Sequence, residues 1–282
     1  MVSGATSRVE LQSPGLLRLR QGVFVKTGRS AALRYLEKAR KIVQRIATEQ
    51  AASIAAAAEI CTDSIAAGGW VHLFGTGHSR MAVEEMFPRI GSFVGFHPMV
   101  ELSVTFYHSV VGANGLRQAL FLEKVEGLGE AILASYRFGA RDSMIVVSSA
   151  GINPAPVEVA LGAKARGLKV MAITSLAHAR STAPRHSSKK KLVDIADLVL
   201  DNCAPAGDAL VKIPGVKYPV GPGSTIGAVA VMNAVKCQVA ENLRKRGIQP
   251  DVLPSPHFVG DEAAAREFER VLSAYHDRAQ KL

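Results

Sequence analysis

Residues 144–154 read MIVVSSAGINP, and this stretch decides the fold. The four apolar residues Met144 to Val147 follow one another without alternation, which is typical of a strand buried on both faces of a parallel sheet. Polar residues come directly after them, and Pro154 suits the first turn of a helix. The stretch therefore predicts a strand, a polar loop and a helix in succession.

The same succession occurs elsewhere in the chain. An apolar strand over residues 70–74 leads into a glycine-rich loop over 75–79. Because strands alternate with helices of this length, we expect an α/β fold with a parallel sheet and right-handed crossovers. The other predicted strands cover residues 92–97, 169–174 and 198–200, and the predicted helices cover 81–87, 122–138, 154–166 and 226–246.

The ends of the chain differ from its centre. Residues 30–67 place apolar residues mostly three or four apart among polar ones and alanines, which predicts a long amphipathic helical lead-in of one or two helices. Residues 1–29 are rich in arginine, poor in acidic residues and mixed with serine, glycine and proline. This composition resembles an organelle-targeting peptide but fits a start codon assigned too early or a disordered extension equally well, and we expect a disordered extension there. The predicted organisation is thus this extension, one domain over 30–260, and a C-terminal helix over 261–282.

Composition excludes several classes of protein. With 282 residues, 48% of them hydrophobic, the chain can build a large core and is not intrinsically disordered. Its three cysteines lie far apart without metal-binding spacing, so we expect no metal, no disulfide framework and a reducing compartment. No apolar span reaches the roughly 18 residues of a membrane helix. We therefore expect a cytoplasmic protein that does not contact membranes.

The net charge of +10 is confined to two segments. Residues 1–34 hold six basic residues and one acidic residue, and residues 176–192 hold five basic residues and no acidic one. The remaining basic and acidic residues balance. A broad basic groove for nucleic acid is therefore not predicted, and we expect no nucleic-acid partner.

Polar residues follow three of the predicted strands and precede the last long helix. Carboxyl ends of parallel strands meet at one edge of a sheet, where backbone N–H groups and hydroxyls can hold phosphate or a polyhydroxy compound. Any one of these loops is equally well explained as an ordinary turn or helix cap, but their coincidence on one edge favours a binding site. The predicted binding residues are Gly75, Thr76, Gly77, His78, Ser79, Ser148, Ser149, Gly151, Asn153, Ser175, Ser224 and Thr225.

Two nucleotide-binding motifs are absent from these loops. The dinucleotide fingerprint requires a third glycine where this chain has Arg80, and the Walker loop requires a Gly-Lys pair followed by Ser or Thr. We therefore predict no nucleotide cofactor, and no other cofactor.

The chain resembles the sugar isomerase (SIS) domain family of phosphosugar-binding proteins over about residues 32–260. The resemblance implies a five-stranded parallel sheet in a three-layer sandwich with flavodoxin-like strand order. It also implies a homodimer or homotetramer that binds a small sugar phosphate at the carboxyl edge of the strands. The residues that carry the resemblance are 74–79, 147–158, 164–174, 185–186, 201–203, 207–209 and 221–225.

This sequence departs from the branch of the family that it resembles most. The second loop of that branch reads Ser-Asn-Ser-Gly-Arg-Asn, whereas this chain has Ala150 in place of the second serine of that pattern and Ile152 in place of the arginine. The Ser-Gly-Lys that follows Arg-His is also changed, because Ser188 replaces the glycine. A hydroxyl and a cation are missing, so we expect weaker anion binding or a less charged sugar.

Aldose–ketose isomerisation requires a base at the sugar and an acid that opens the ring. Glu84 and Glu85 follow the first loop on one helix, where neighbours diverge by about 100°, so at most one faces the ligand. We expect Glu85 to be that catalytic carboxylate, although both fit surface charges equally well. We expect His186 to act as an acid or to clamp phosphate. A lyase or etherase, and a non-catalytic sugar-phosphate sensor, remain alternatives.

Overall fold

The computed structural model describes residues 30–105, 115–280 and 282, together with the backbone of residues 16–18 and 24–26. The helices are α1 (Ala31–Glu49), α2 (Ala51–Ala66), α3 (Arg80–Glu84), α4 (Gly115–Leu122), α5 (Leu128–Leu133), α6 (Pro154–Ala165), α7 (Leu176–Ser181), α8 (Leu192–Ile195), α9 (Ser224–Lys245), α10 (Pro256–Val259) and α11 (Asp261–Ala279). The strands are β1 (Leu16–Arg18), β2 (Phe24–Lys26), β3 (Val71–Gly75), β4 (Phe96–Met99), β5 (Ser143–Val147), β6 (Lys169–Thr174), β7 (Leu198–Asp201), β8 (Ala209–Val211) and β9 (Val220–Pro222).

Five strands form one parallel sheet in the order β4-β3-β5-β6-β7. This is the flavodoxin-like order, in which the second strand of the sheet lies outside the first. The expected α/β fold with a five-stranded parallel sheet is therefore confirmed. Two antiparallel pairs, β1 with β2 and β8 with β9, lie outside this sheet.

Helices cover both faces of the sheet, because its strands carry mainly apolar side chains on both faces. Ile145 and Val147 of the central strand β5 pack on one face, in a cluster with residues of α1, α2 and α9. Met144 and Val146 pack on the other face, with residues of α5, α6 and α8. The continuous apolar run of this strand thus supplies the cores of both layers, as its sequence predicts.

The predicted helical lead-in corresponds to α1 and α2. Helix α2 packs against the long helix α9, and α1 contacts both of them. Close approach at the start of α9 depends on Gly227, because a Cβ atom there would lie 2.0 Å from the backbone oxygen of Asn202. These contacts fix the position at which α9 begins beside the carboxyl edge of the sheet.

One predicted helix is wrong. In place of a single helix over residues 122–138, the chain forms α4 and α5 with a turn over residues 123–127 between them. Gly127 has a φ of 94°, a left-handed conformation that glycine adopts at little cost and that no helix interior contains. The turn presents Glu123 and Glu126, two carboxylates that a continuous helix would have aligned along its surface.

Two other expectations differ in their bounds. The helix expected over 81–87 is α3, and the strand expected over 92–97 is β4. Within the extension expected over residues 1–29, only the backbone of β1 and β2 is described, and its other residues lie outside the described part of the chain. Among the described helices, none combines the length and apolarity needed to cross a bilayer.

Candidate functional site

The first glycine-rich loop follows β3 at the carboxyl edge of the sheet. Residues Gly77 to Ser79 form a single turn of 3₁₀ helix that leads directly into α3. Thr76 is buried, whereas His78 is exposed at the tip of the loop. The start of α9 packs against this turn, so the loop is held between the sheet and that helix.

The second loop follows the neighbouring strand β5. The backbone N–H of Gly151 donates to the Ser148 hydroxyl at 3.2 Å, so the loop curls on itself. The Ser149 backbone oxygen accepts from the N–H of Ser175 at 3.0 Å. By contrast, the Ser149 hydroxyl is buried and has no hydrogen-bond partner among the described residues. Because a buried hydroxyl without a partner costs free energy, this group is suited to a ligand.

Glu123 joins the two loops. Its Oε2 accepts a hydrogen bond from the Thr76 hydroxyl at 3.0 Å, and its Oε1 accepts one from the Asn153 side-chain amide at 2.8 Å. The residue is only 7% exposed, and burial raises the pKa of its carboxyl although the Thr76 hydroxyl favours ionisation. The loops at residues 75–79 and 148–153 therefore converge on one buried carboxylate.

Arg185 brings a cation to the second loop. Its guanidinium donates from Nη1 to the Asn153 side-chain oxygen at 2.8 Å, and its backbone N–H donates to the Ile152 oxygen at 3.1 Å. The Ile152 side chain is buried, so that position could not present an arginine to solvent without repacking. Arg185 is exposed and places a positive charge beside the loop from another part of the chain.

His186 lies next to Arg185 but faces away from the loops, toward the turn after α4. Its Nδ1 is 2.7 Å from the Ser188 hydroxyl. Its Nε2 lies 3.7 Å from a carboxylate oxygen of Glu126 and 3.5 Å from one of Glu158. The predicted acid is thus grouped with two carboxylates, and no described hydrogen bond joins its side chain to either loop.

Glu85 contacts α9 and not the loops. Its carboxylate accepts a hydrogen bond from Asn233 at 3.0 Å and pairs with Arg89, and Lys236 donates to its backbone oxygen at 2.9 Å. Burial opposes its ionisation, but the hydrogen bonds from Asn233 and Arg89 hold its pKa below the usual range. Its neighbour Glu84 pairs with Arg80 at 2.7 Å. The catalytic role of Glu85 stays a prediction.

The remaining predicted binding residues have structural partners. Ser175 caps α7 by accepting from the N–H of His178 at 3.1 Å, and its hydroxyl donates to the Ala204 oxygen at 2.7 Å. The Ser224 hydroxyl donates to Asp208 at 2.9 Å. Thr225 follows it in the first turn of α9 and is half-buried. Among the described residues, the side chains of these three residues make no hydrogen bond to the loops at 75–79 and 148–153, although the Ser175 backbone N–H donates to Ser149.

A cavity of about 590 Å³ lies elsewhere, between α3, β4 and α11. Its wall is mainly apolar and includes His97, Phe87 and Tyr275. His97 contacts His72 at 2.9 Å, and His72 in turn contacts Asp142 at 3.0 Å. None of the predicted binding residues lines this cavity, so its chemistry is separate from that of the loops.

Sequence reasoning missed the central role of Glu123. The residue was covered by the predicted helix over 122–138, and it is 47 residues from Thr76 and 30 from Asn153. A local signal did exist, because Gly127 and Gly129 interrupt that helix two residues apart. Two glycines so close together indicate a turn, and a turn at a sheet edge can present a carboxylate.

The comparisons with known proteins agree with this architecture. Residues 34–175 match the SIS domain. A UPF0309 protein from Streptomyces griseus is 38% identical over 86% of this chain and 94% of the relative, and the UPF0309 protein TTE0306 from Caldanaerobacter subterraneus is 33% identical over 81% and 92%.

The similar solved structures share far less sequence with this chain. Phosphoheptose isomerase GmhA from Neisseria gonorrhoeae is 13% identical, with a TM-score of 0.47 over 74% of this chain and 97% of that one. The structure of E. coli CFT073 c3406 in complex with A5P is 14% identical, with a TM-score of 0.45 over 76% and 89%. The family match and the relatives at 33–38% identity show that this chain belongs to the SIS domain family.

Proposed function

We propose that the protein binds a sugar phosphate between the loops at residues 75–79 and 148–153. The observation that carries this proposal is the Glu123 carboxylate, which hydrogen-bonds Thr76 of one loop and Asn153 of the other. Such a bridge fixes the spacing of two loops at the carboxyl edge of a parallel sheet, where ligands of open α/β folds bind. Sugar-phosphate binding is also what the SIS resemblance implies.

Arg185 and Ser149 are suited to the phosphate end of the ligand. A guanidinium presents several donors in a fixed plane that matches the oxygens of a phosphate group. The Ser149 hydroxyl has no partner among the described residues and would gain one from a bound phosphate or sugar oxygen. His78, exposed at the tip of the first loop, can contact the sugar hydroxyls. Arg185 thus compensates for the cation that Ile152 does not provide.

The reaction that we propose is aldose–ketose isomerisation. A base removes the proton from the carbon next to the carbonyl while the carbonyl oxygen takes up a proton, which gives an enediol. The neighbouring hydroxyl then loses its proton and becomes the new carbonyl as a proton is returned to the former carbonyl carbon. Glu123 is the carboxylate that hydrogen-bonds both loops, and burial raises its pKa, which favours a group that both takes and gives a proton. Glu85 is the competing candidate from the sequence, and His186 remains the predicted acid.

A panel of sugar phosphates tests both steps. Ligands are first identified by the rise in melting temperature that they cause, and each hit is then assayed for ketose formation. We expect Glu123→Gln to lose at least about a hundredfold in turnover, the lower end of typical general-base contributions. Glu130→Gln is the matched control, because Glu130 pairs with Arg166 away from the loops. Loss of turnover in Glu85→Gln and not in Glu123→Gln would assign the base to Glu85.

One observation favours a non-catalytic sensor as the second candidate. Both oxygens of Glu123 are already engaged in hydrogen bonds, which suits a structural bridge as well as a base. Sugar phosphates that raise the melting temperature without being converted would support the sensor. A product formed by elimination next to the sugar carbonyl would instead support the lyase or etherase. A homodimer or homotetramer in the cytoplasm stays a prediction that sedimentation and cell fractionation can test.

A further inference from the structure

A cluster of one histidine and two glutamate side chains lies outside the two loops. It consists of His186, Glu126 and Glu158, whose nearest side-chain atoms lie within 4.8 Å of one another. The three residues come from the segment before α8, the turn before α5, and helix α6. We propose that these three side chains bind a divalent transition-metal cation, with Zn²⁺ as the best-suited ion.

The spacing of the ligand atoms suits such an ion. Zn²⁺ binds histidine nitrogen and carboxylate oxygen at about 2.0–2.2 Å, which separates the ligand atoms of a tetrahedral site by about 3.3–3.6 Å. The Nε2 atom of His186 is 3.5 Å from Glu158 Oε1 and 3.7 Å from Glu126 Oε2. Small side-chain rotations therefore bring all three atoms to bonding distance of one ion.

His186 is the independent observation that points to a ligand. The residue is 8% exposed, and its Nε2 points between the two carboxylates without a described hydrogen bond. Its Nδ1 is 2.7 Å from the Ser188 hydroxyl and 3.2 Å from the Ser188 N–H. The Ser188 N–H donates to Nδ1 in this structure, and a metal ion at Nε2 would move the ring proton to Nδ1, which would then donate to the Ser188 hydroxyl. Metal-binding histidines are commonly oriented by such a bond from the other ring nitrogen.

Both carboxylates are also held in place by hydrogen bonds from backbone N–H groups. Glu158 accepts from the backbone N–H of Gly129 at 2.8 Å and from that of Gly127, and Glu126 accepts from the N–H of Ser187 at 2.7 Å through its other oxygen. The Glu126 oxygen that faces the histidine is the one not bonded to Ser187, whereas the Glu158 oxygen that faces it also accepts from Gly127. The two carboxylates carry two negative charges, which a divalent cation neutralises.

The position of the cluster would also allow a bound ion to connect two segments next to the loops. Glu126 is exposed, so an ion can enter from solvent and keep a coordination position for water or another ligand. Because Arg185 contacts Asn153, the ion would hold the segment that carries Arg185 against the turn that carries Glu123. His186 would then serve as a metal ligand and not as the acid that the sequence predicts. The metal site itself does not require that the loops bind a sugar phosphate.

The test measures metal binding without any sugar. Full-length protein without a histidine tag is stripped with a chelator, incubated with Zn²⁺, separated from free metal and analysed by mass spectrometry for bound zinc. Co²⁺ in place of Zn²⁺ reports the ligand geometry through its visible absorption bands. We expect stoichiometric retention of Zn²⁺, an intense tetrahedral-type Co²⁺ spectrum and a Zn²⁺-dependent rise in melting temperature.

Variants separate the site from adventitious binding. His186→Asn, Glu158→Gln and Glu126→Gln should each weaken Zn²⁺ binding by about tenfold or more, and Glu130→Gln should bind as the wild type does. If Glu158→Gln fails to fold, because Glu158 holds the turn before α5, the other two variants decide. Absence of stoichiometric binding in the wild type, or binding unchanged in His186→Asn, would overturn the proposal and leave the cluster as a histidine–carboxylate ion pair. Neither result bears on whether sugar phosphates bind.

Discussion

Removing the Glu123 side chain should detach the two loops from each other. In Glu123→Ala, the Asn153 amide and the Thr76 hydroxyl lose an acceptor inside the protein. Hydrogen bonds to a charged group contribute about 1.5–3 kcal/mol each, so two of them are worth about 3–6 kcal/mol. Removal of a carboxylate that burial has partly stripped of water offsets part of this. We therefore expect a net loss of about 2–4 kcal/mol, which for a domain of this size lowers the melting temperature by roughly 5–15 °C.

Glu123→Gln removes the charge of the side chain and keeps both of its hydrogen bonds. The glutamine oxygen can still accept from the Asn153 amide, and its NH₂ group can donate to the Thr76 hydroxyl, which rotates to accept. Both contacts of the bridge survive, so we expect this variant to unfold within about 1 kcal/mol of the wild type at neutral pH. Turnover should be lost in both variants, whereas stability should be lost only in the alanine variant.

The pH dependence of the free energy of unfolding shows whether the charge on Glu123 stabilises or destabilises the folded protein. The folded pKa of Glu123 is raised above its ordinary value of 4.5. The protonated carboxyl therefore favours the folded state below pH 4.5, and this contribution is lost as the pH rises through the raised folded pKa. Thermal unfolding at several pH values should show the wild type losing stability relative to Glu123→Gln across that window. The bridge would be refuted if Glu123→Ala had the melting temperature of the wild type, or if the melting temperature of Glu123→Gln were as low as that of Glu123→Ala.

Three further predictions concern His97, Gly227 and Ala150. Burial, reinforced by the neighbouring His72, lowers the pKa of His97 to about 4. The free energy of unfolding should therefore fall by about 3 kcal/mol as the pH drops from 6.5 to 4, because the folded protein resists protonation of this residue. Chemical denaturation at several pH values should show a smaller loss in His97→Gln. Gly227→Ala should cost about 2 kcal/mol or more in the same assay, because its Cβ would lie 2.0 Å from a backbone oxygen that cannot rotate away. Ala150→Ser should tighten sugar-phosphate binding severalfold in calorimetry by adding one hydroxyl donor, and unchanged affinity would place the phosphate elsewhere.

The sequence by itself determined the strands of the sheet, most of its flanking helices and the two loops that follow β3 and β5. These features depend on local signals. A run of four apolar residues favours a strand buried on both faces wherever it occurs, and Pro154 favours the start of a helix whatever lies around it. The loops follow from the ends of those strands, because the chain must leave a parallel sheet at its carboxyl edge before each crossover.

Only the tertiary structure decided which side chains meet at that edge. Glu123 joins Thr76 and Asn153 because the turn after α4 folds back onto two separate strands, and no periodicity within residues 115–138 records that meeting. The same holds for Arg185, which brings a cation to a loop whose own sequence lacks one. Such contacts depend on how distant segments pack, and packing is a property of the whole chain and not of any one stretch of it.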